Sequence, residues 1–334
     1  MYKYIYWFKR KIPQNYKPVV LITGCSTGIG LALCKLFHQQ TQYRVVVTAR
    51  EKSLHLLQGF EQDNRFMVHE LDITSAASRE KLVHDVLVYW GAIDILVNNA
   101  GISFRSVVEH MTEEDELLQM QTNYMGPISL IRLVLPFMRR KGRGKIINVS
   151  SVSGMLAMPT MASYSASKYA LEGASEALWY EMRPFGIDVS LVQPGFIQSN
   201  SFKNVYYTGS ARYSEKGFDP YSEFYKHMTP FVADRMAKSS TTPEKVAQLI
   251  LDVIMTVRPP LWIPATFDAE FFYYLRRMLP RRLLHPFLYM CLPGASKWGQ
   301  THTNKKYNHL EQWIRKWKKF FAALAFWKKA PEPK

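Results

Sequence analysis

The chain has 334 residues, of which 47% are hydrophobic and 21% charged, and its formal net charge is +16. This composition is ample for a packed core and excludes a disordered or fibrous chain. Three cysteines, Cys25, Cys34 and Cys291, form no CxxC pair and leave an odd count, so we expect no disulfide framework and a reducing compartment.

Positive charge is concentrated at the two ends of the chain. Residues 1–17 carry +5 and residues 271–334 carry +12, which leaves −1 for residues 18–270. No segment reaches the ~20 apolar residues that cross a bilayer, and "IYWF" near the N-terminus is shorter than the ~7–15 apolar residues of a signal peptide. We therefore expect a cytoplasmic protein whose basic ends need an explanation separate from its neutral body.

Strand and helix patterns alternate as far as Gly195. The strand patterns are "PVVLITG", "YRVVVTAR", "AIDILVNNAG", "GKIINVSS" and "IDVSLVQPG". Helical spacing occurs in "IGLALCKLF", "SREKLVHDVLVYW", "LLQMQTNYMGPISLIRLVLPFMRR" and "SYSASKYALEGASEALWYEM". This alternation predicts an α/β fold, in which a parallel sheet is covered by helices on both faces and binds ligands at the carboxyl ends of its strands.

The pattern becomes irregular after Gly195. Residues 196–240 have no clear period, which fits either a substrate-covering lid or an irregular surface excursion. "TTPEKVAQLILDVI" then predicts a helix and "PPLWIPA" a last short strand. We predict one catalytic domain over residues 18–265, flanked by a basic aromatic N-terminal segment, 1–17, and a basic C-terminal extension, 266–334.

The turn after the first strand, "TGCSTGIG", predicts a dinucleotide site. Gly24, Gly28 and Gly30 let the backbone turn sharply and approach a pyrophosphate, which the N-terminus of the next helix attracts. At the end of the second strand, Arg50 stands where a basic side chain would meet a 2′-phosphate and an acid would bind a ribose hydroxyl. This favours NADP(H) over NAD(H); the alternative is a solvated loop arginine.

Tyr164 and Lys168 in "YSASK" are four residues apart, so on a helix their side chains share one face. A free tyrosine has a pKa of ~10, and a nearby ammonium favours its phenolate form. The spacing alone fits either a surface helix pair or a proton-transfer site.

Six motifs in order resemble those of classical short-chain dehydrogenases/reductases. They are "TGCSTGIG" at 23–30, "NNAG" at 98–101, the Asn of "NYMG" at 123, "NVSS" at 148–151, "YSASK" at 164–168 and "PG" at 194–195. The segment "RPPLWIPATFDAEFFYYLRRMLPRRLL" is similar to the C-terminal part of hydroxysteroid and retinol dehydrogenases. The resemblance implies a single Rossmann-type, doubly wound domain of about seven parallel strands, followed here by a C-terminal helical extension.

The resemblance also implies roles for individual residues. Tyr164 would be the general acid or base, Lys168 would hold the nicotinamide ribose, Ser151 would orient the substrate oxygen, and Asn123 would position a water. The implied cofactor contacts are Gly24, Ser26, Gly28 and Ile29 at the phosphates, Arg50 at the 2′-phosphate, Asp72 at the adenine, Asn98 at the adenosine ribose, and Ile197 at the carboxamide. The pattern contains no metal site.

Two positions depart from the family pattern. Ser199 stands where the family often has Thr, and Thr27 stands where some NADP-dependent members have a second basic residue. The preference for NADP(H) therefore depends on Arg50 alone.

"MLAMPTM" at 155–161 and residues 196–240 would contact the substrate. Methionines offer an adaptable apolar wall, which favours a lipophilic alcohol or ketone such as a steroid, a retinoid or a long-chain lipid, although these methionines also fit an ordinary core. The alternative to an enzyme is a non-catalytic nucleotide-binding scaffold or sensor at a membrane surface.

The C-terminal tail has the pattern of an amphipathic helix. Its apolar positions recur every three or four residues, and its basic residues lie off that stripe: the apolar set is Leu310, Trp313, Ile314, Trp317, Phe321 and Leu324, and the basic set is Arg315, Lys316, Lys318 and Lys319. This favours a helix lying in a membrane interface over one docked on its own domain or a dimer partner. Residues 271–292, interrupted by Pro280 and Pro286, and the aromatic head could add contacts. Nucleic acid is a poor partner for charge paired with an apolar face, whereas a homo-oligomer is compatible with the sequence.

Overall fold

The computed structural model describes residues 16–198, 205–214 and 219–298. The predicted tail helix at 310–324, Ser199 and all but the last two residues of the N-terminal segment lie outside these ranges.

A sheet of parallel strands forms the centre of the described residues. Its seven strands have the order β3-β2-β1-β4-β5-β6-β7. Their bounds are β1 Val19–Ile22, β2 Arg44–Ala49, β3 Phe66–Glu70, β4 Ile95–Asn98, β5 Gly144–Val149, β6 Ile187–Gln193 and β7 Trp262–Pro264. Because β1 pairs with both β2 and β4, the strand order reverses there, and open α/β sheets bind ligands at such a switch point.

Ten helices occur among the described residues. They are α1 Gly28–His38, α2 Ala76–Trp90, α3 Glu113–Met120, α4 Gly126–Arg140, α5 Ala162–Met182, α6 Gly209–Ser214, α7 Ser222–Ala237, α8 Pro243–Met255, α9 Phe267–Met278 and α10 Arg281–Cys291. The predicted fold class, a doubly wound parallel sheet with a C-terminal helical extension, is confirmed.

Alternation along the strands builds the two layers of the core. Val20 and Ile22 of β1 pack against the face that α1 and α8 cover, whereas Val19 and Leu21 pack against α2, α4 and α5. All four are almost completely buried, and each such side chain contributes about 1.5–3 kcal/mol of transfer free energy. The strand ends that carry the glycine turn are thus held by apolar contacts on both faces.

Three elements differ from the patterns read in the sequence. Strand β3, in "FMVHE", was not predicted from its own pattern, because as an edge strand it leaves most of its side chains partly exposed. Residues 222–237, inside the irregular segment, form α7 with Pro230 in its interior. The long helix predicted over 117–140 is interrupted by a π-helical turn at Gln121–Met125.

The described part of the C-terminal extension packs on the domain. Ala269 of α9 is fully buried in a cluster with Val152 and Met155, which belong to the loop after β5. Farther along, Trp298 stacks on Phe224 of α7 with ring centroids 4.4 Å apart. Pro280 separates α9 from α10, but Pro286 lies inside α10.

Candidate active site

The turn between β1 and α1 is fastened to the end of β4. Thr23 Oγ1 accepts hydrogen bonds from the backbone N–H groups of Asn99 and Ala100, each at 3.0 Å, and Asn99 Nδ2 donates to the carbonyl oxygens of Thr23 and Gly24. Gly24 has a φ of +73°, and a Cβ built on it would lie 2.8 Å from Ala100 Cα. Only glycine therefore fits this crossing of two strand ends.

The glycine turn fits a dinucleotide phosphate. Gly30 is closed off, because a Cβ there would lie 2.2 Å from the Gly24 carbonyl oxygen. Gly28, by contrast, has a φ of +59° with no atom within 4 Å of a built Cβ, and it is the first residue of α1. An open approach to the N-terminus of a helix is the cradle that a pyrophosphate needs. Ser26 is half-buried in the same turn, and Ile29 packs against the core beneath it.

The other predicted cofactor contacts follow neighbouring strands. Arg50 is exposed directly after β2. Asp72 is exposed just past β3, and its Oδ1 accepts hydrogen bonds from Thr74 N and Oγ1. The side chain of Asn98 is buried and donates to Asn148 Oδ1 at 2.8 Å. The Oδ1 atom of Asn98 is also buried, and it has no hydrogen-bond partner among the described residues.

The segment after β6 is fixed by the N-terminus of α9. Thr266 Oγ1 accepts a hydrogen bond from Gly195 N, and Asp268 Oδ2 accepts one from Phe196 N, both at 2.9 Å. Ile197, the predicted carboxamide contact, is buried directly after them. Sequence reasoning missed Thr266 and Asp268, because their contacts depend on how the C-terminal extension folds back.

The π-helical turn presents Asn123 to the end of β4. Asn123 Oδ1 accepts a hydrogen bond from Ile102 N at 2.9 Å, and its Nδ2 donates to Ile102 O and to Ser167 Oγ. Ser167 in turn donates to the carbonyl oxygen of Tyr164 at 2.7 Å. π-Helical turns often occur at functional sites, and this one ties the predicted relay asparagine to α5.

Helix α5 brings Tyr164 and Lys168 onto one face. The Lys168 Nζ lies 5.8 Å from the centroid of the Tyr164 ring and donates to the carbonyl oxygen of Val149 at 3.0 Å. Ser151 lies beside them in the loop after β5, close enough that its hydroxyl lowers the pKa of the Tyr164 phenol. Three predicted catalytic side chains, those of Ser151, Tyr164 and Lys168, therefore lie close together.

The neighbouring Ser150 faces away from Tyr164. Ser150 Oγ donates to Glu172 Oε1 at 2.6 Å, and Gln193 Nε2 donates to the same oxygen at 2.8 Å. The carboxylate of Glu172 is buried one helical turn beyond Lys168, and sequence reasoning missed it. The signal available in the sequence was an acidic residue four positions after the lysine of "YSASK", which places it on the same helix face.

Burial governs the ionisation of this site. Loss of solvent raises the pKa of the Tyr164 phenol, while the hydrogen bond with Ser151 and the charge of Arg105 oppose the rise. Burial lowers the pKa of the Lys168 ammonium to about 8, and the negative charge of Glu172 opposes that change. Glu172 itself has a raised pKa because it is buried, in spite of its bonds from Ser150 and Gln193. Motif reasoning named Lys168 as the cation beside the phenol; Arg105 is another cation that it missed.

Buried apolar side chains connect the loop after β4 with the methionine segment before α5. Met155 and Met161 of the predicted wall are buried, and so is Phe104, whose ring lies 5.2 Å from that of Tyr206. Residues 104 and 106 form single β-bridges with 206 and 161 respectively. The loop after β4, the methionine segment and residues 205–214 are thus connected, and we call the buried side chains of Phe104, Met155 and Met161 the apolar wall.

Two further properties of the described residues bear on the site. Their His, Cys, Asp and Glu side chains form no group of three or more that could hold a metal ion. Among the helices in these ranges, none has the length and hydrophobicity to span a bilayer.

Comparison with known proteins identifies the family. Residues 18–208 match the family model of the short chain dehydrogenases. The chain is 33% identical to 3-ketodihydrosphingosine reductase of Bacteroides thetaiotaomicron over 242 residues, which covers 72% of this chain and 85% of that protein. It is 34% identical to retinol dehydrogenase 8 of Homo sapiens over 250 residues, covering 72% of this chain and 79% of that protein.

A solved structure agrees with the sequence relatives. A short-chain dehydrogenase from Streptomyces avermitilis superposes with a TM-score of 0.67 at 29% identity, covering 82% of this chain and 98% of that one. The resemblance seen in the ordered motifs is confirmed: the chain belongs to the short chain dehydrogenase family and is an NAD(P)-dependent oxidoreductase.

Proposed function

We propose that the protein is an NADP(H)-preferring enzyme that interconverts an alcohol and its carbonyl on a lipophilic substrate at a membrane surface. The observation that carries this proposal is the meeting of Ser151, Tyr164 and Lys168 beside an apolar wall. The names of two relatives, a 3-ketodihydrosphingosine reductase and a retinol dehydrogenase, support a lipid-like substrate.

The reaction divides between cofactor and protein. A bound nicotinamide would supply or accept the hydride. In reduction, the Tyr164 hydroxyl gives a proton to the carbonyl oxygen, which Ser151 holds by its own hydroxyl. In oxidation, the Tyr164 phenolate takes the proton from the alcohol, and the ammonium of Lys168 makes that phenolate less costly. Asn123 positions a water through which Lys168 exchanges protons with solvent.

Arg50 supports the preference for NADP(H). It is exposed at the end of β2, and a guanidinium there would pair with a 2′-phosphate. We expect Arg50→Gln to lower kcat/KM for NADPH at least tenfold and to change kcat/KM for NADH less than threefold. Lys52→Gln, at an exposed position two residues on, is the matched control. Equal losses with both cofactors in Arg50→Gln would contradict the preference.

The exposed face of α9 supports membrane attachment. Phe267, Phe271 and Met278 are 84%, 50% and 78% exposed, and arginines occur at both α9 and α10. The opposite face of α9 packs on Met155 of the apolar wall. Helix α9 would thus join a lipid surface to the pocket, and the tail predicted at 310–324 would add a second contact.

Two experiments test this function. Consumption of NADPH and NADH is followed with steroids, retinoids, long-chain aldehydes and 3-keto lipids. Failure with every carbonyl would favour the nucleotide-binding scaffold.

Flotation on anionic vesicles is compared for three full-length proteins. They are the wild type, a double variant with Phe271→Ser and Met278→Ser, and a double variant with Trp313→Ser and Trp317→Ser. We expect the substituted chains to float less, and equal soluble fractions for all three would contradict membrane attachment.

A further inference from the structure

Arg105 is a cation in the loop after β4 that forms no ion pair with a described residue. Its Nε is buried and has no hydrogen-bond partner among the described residues. No carboxylate of the described ranges forms an ion pair with it, and the groups whose charge acts on it are the phenols of Tyr164 and Tyr207. Phenols are neutral near pH 7, so these described neighbours do not compensate the positive charge of Arg105, a partly exposed residue.

The backbone holds Arg105 in place. Phe104 N donates to Gln119 Oε1 at 2.8 Å, Arg105 N donates to Tyr206 O at 2.8 Å, and Ser106 N donates to Thr160 O at 2.9 Å. Three consecutive amides are thus bonded to three different segments of the chain. The backbone that carries Arg105 is therefore already ordered, so a ligand that binds the guanidinium does not have to order this loop.

A guanidinium whose Nε is buried without a hydrogen-bond partner carries a free-energy cost until a ligand pairs with it. Fold stability gives no reason for this one, since it makes no ion pair within the described residues. Its position beside Tyr164 indicates a role in the reaction, because the reacting oxygen of the substrate must lie at the Tyr164 hydroxyl. An anionic group of the substrate near that oxygen would come within reach of the guanidinium.

We propose that Arg105 binds an anionic oxygen group of the substrate, a carboxylate or a phosphate, placed a few bonds from the reacting carbon. The substrate is then an acidic amphiphile, with its charged group at Arg105 and its apolar chain along Phe104, Met155 and Met161. This inference rests on the proposed reductase function and narrows its substrate class. Guanidinium groups suit both anions, since they offer two parallel N–H donors.

Matched carbonyl compounds test the proposal. Reduction of 4-oxododecanoate, its methyl ester and 3-oxododecyl phosphate is measured with NADPH and the full-length protein. We expect the wild type to prefer at least one anion to the ester by tenfold or more in kcat/KM. The anion with the higher kcat/KM shows whether Arg105 binds a carboxylate or a phosphate.

Variants assign the preference to Arg105. Arg105→Met should lower kcat/KM for the preferred anion at least tenfold and for the ester less than threefold, and Arg105→Lys should recover part of the loss. Arg212→Met, at an exposed position on α6, should leave the preference unchanged. Equal losses for anion and ester in Arg105→Met would overturn the proposal, because they would indicate an effect on Tyr164 or on the fold.

Binding separates this proposal from the reductase function. Dodecanoate, dodecyl phosphate and methyl dodecanoate are not reduced, and their affinity for the full-length protein with NADP⁺ is measured by calorimetry. We expect the wild type to bind an anion at least tenfold more tightly than the ester, and Arg105→Met to lose that difference while keeping its affinity for NADP⁺. If the wild type binds the anions and the ester equally well, the assignment of Arg105 is wrong even if neutral ketones are reduced. Equal binding is the result expected if a carboxylate of the chain already neutralises Arg105.

Discussion

Replacing Gly28 with alanine should separate cofactor binding from folding. Gly28 has a φ of +59°, and the left-handed region costs an L-residue about 1–2 kcal/mol. The new methyl group meets no atom within 4 Å, and alanine recovers about 0.4–1 kcal/mol through the unfolded chain. The net loss of stability should therefore be about 1 kcal/mol, which lowers Tm by roughly 2–4 °C.

The same methyl group points into the space where a pyrophosphate would approach α1. We expect the Kd for NADPH, measured by calorimetry, to rise at least tenfold in Gly28→Ala, which corresponds to about 1.4 kcal/mol. In Gly24→Ala, backbone strain and a clash with Ala100 act together. Their sum of about 2–5 kcal/mol should appear mainly as a lower Tm.

Gly173→Ala is the matched control for this series. Gly173 lies in α5 with open space around it and is exposed, so alanine there should raise stability by up to about 1 kcal/mol and leave the Kd unchanged. If Gly28→Ala lowers Tm by no more than the expected few degrees and binds NADPH within twofold of the wild type, the glycine turn is not the phosphate site.

Two further predictions concern buried charges. The negative charge of Glu172 raises the pKa of Lys168, which burial lowers to about 8, so Glu172→Gln should lower that pKa. If the Lys168 ammonium holds the cofactor, kcat/KM for NADPH falls as pH rises through this pKa. The fall should begin at lower pH in Glu172→Gln than in the wild type, whereas the exposed Glu176→Gln should keep the wild-type profile. Identical profiles for Glu172→Gln and the wild type would show that Glu172 carries no charge there. Asp94→Ala removes the acceptor of the buried Val19 N–H and of Tyr16 and Lys141, so denaturant unfolding should show a loss of about 2–4 kcal/mol. Lys81→Ala, which breaks an exposed ion pair, should lose less than about 1 kcal/mol, and a similar loss in both variants would contradict the role of burial.

Local patterns in the sequence were sufficient for most of the sheet. Strands such as β1 and β5 are buried on both faces and give continuous β-branched runs. β3 has no such run, because it lies at the edge of the sheet and only Phe66 is fully buried. Helix α7 contains Pro230 and mixes polar with apolar residues, so its helical form depends on the packing of Tyr225, Met228 and Val232.

The site was predictable to the extent that its residues belong to motifs. Tyr164 and Lys168 share a helix face, and their spacing alone brought them together. Arg105 and Asp268 act through contacts with segments that lie more than fifty residues away along the chain. Nothing in the spacing of the sequence encodes those contacts, because they depend on how residues 205–214 and α9 fold back.

The central claim is that Tyr164 transfers the proton to the substrate oxygen. Tyr164→Phe removes the hydroxyl and keeps the ring, and general acid catalysis contributes typically 10²–10⁴-fold. Single-turnover oxidation of NADPH with a lipid carbonyl, measured together with the Kd for NADPH, tests the claim most directly. We predict a rate at least 10²-fold lower with a Kd within threefold of the wild type; a rate within tenfold of the wild type at an unchanged Kd would contradict it.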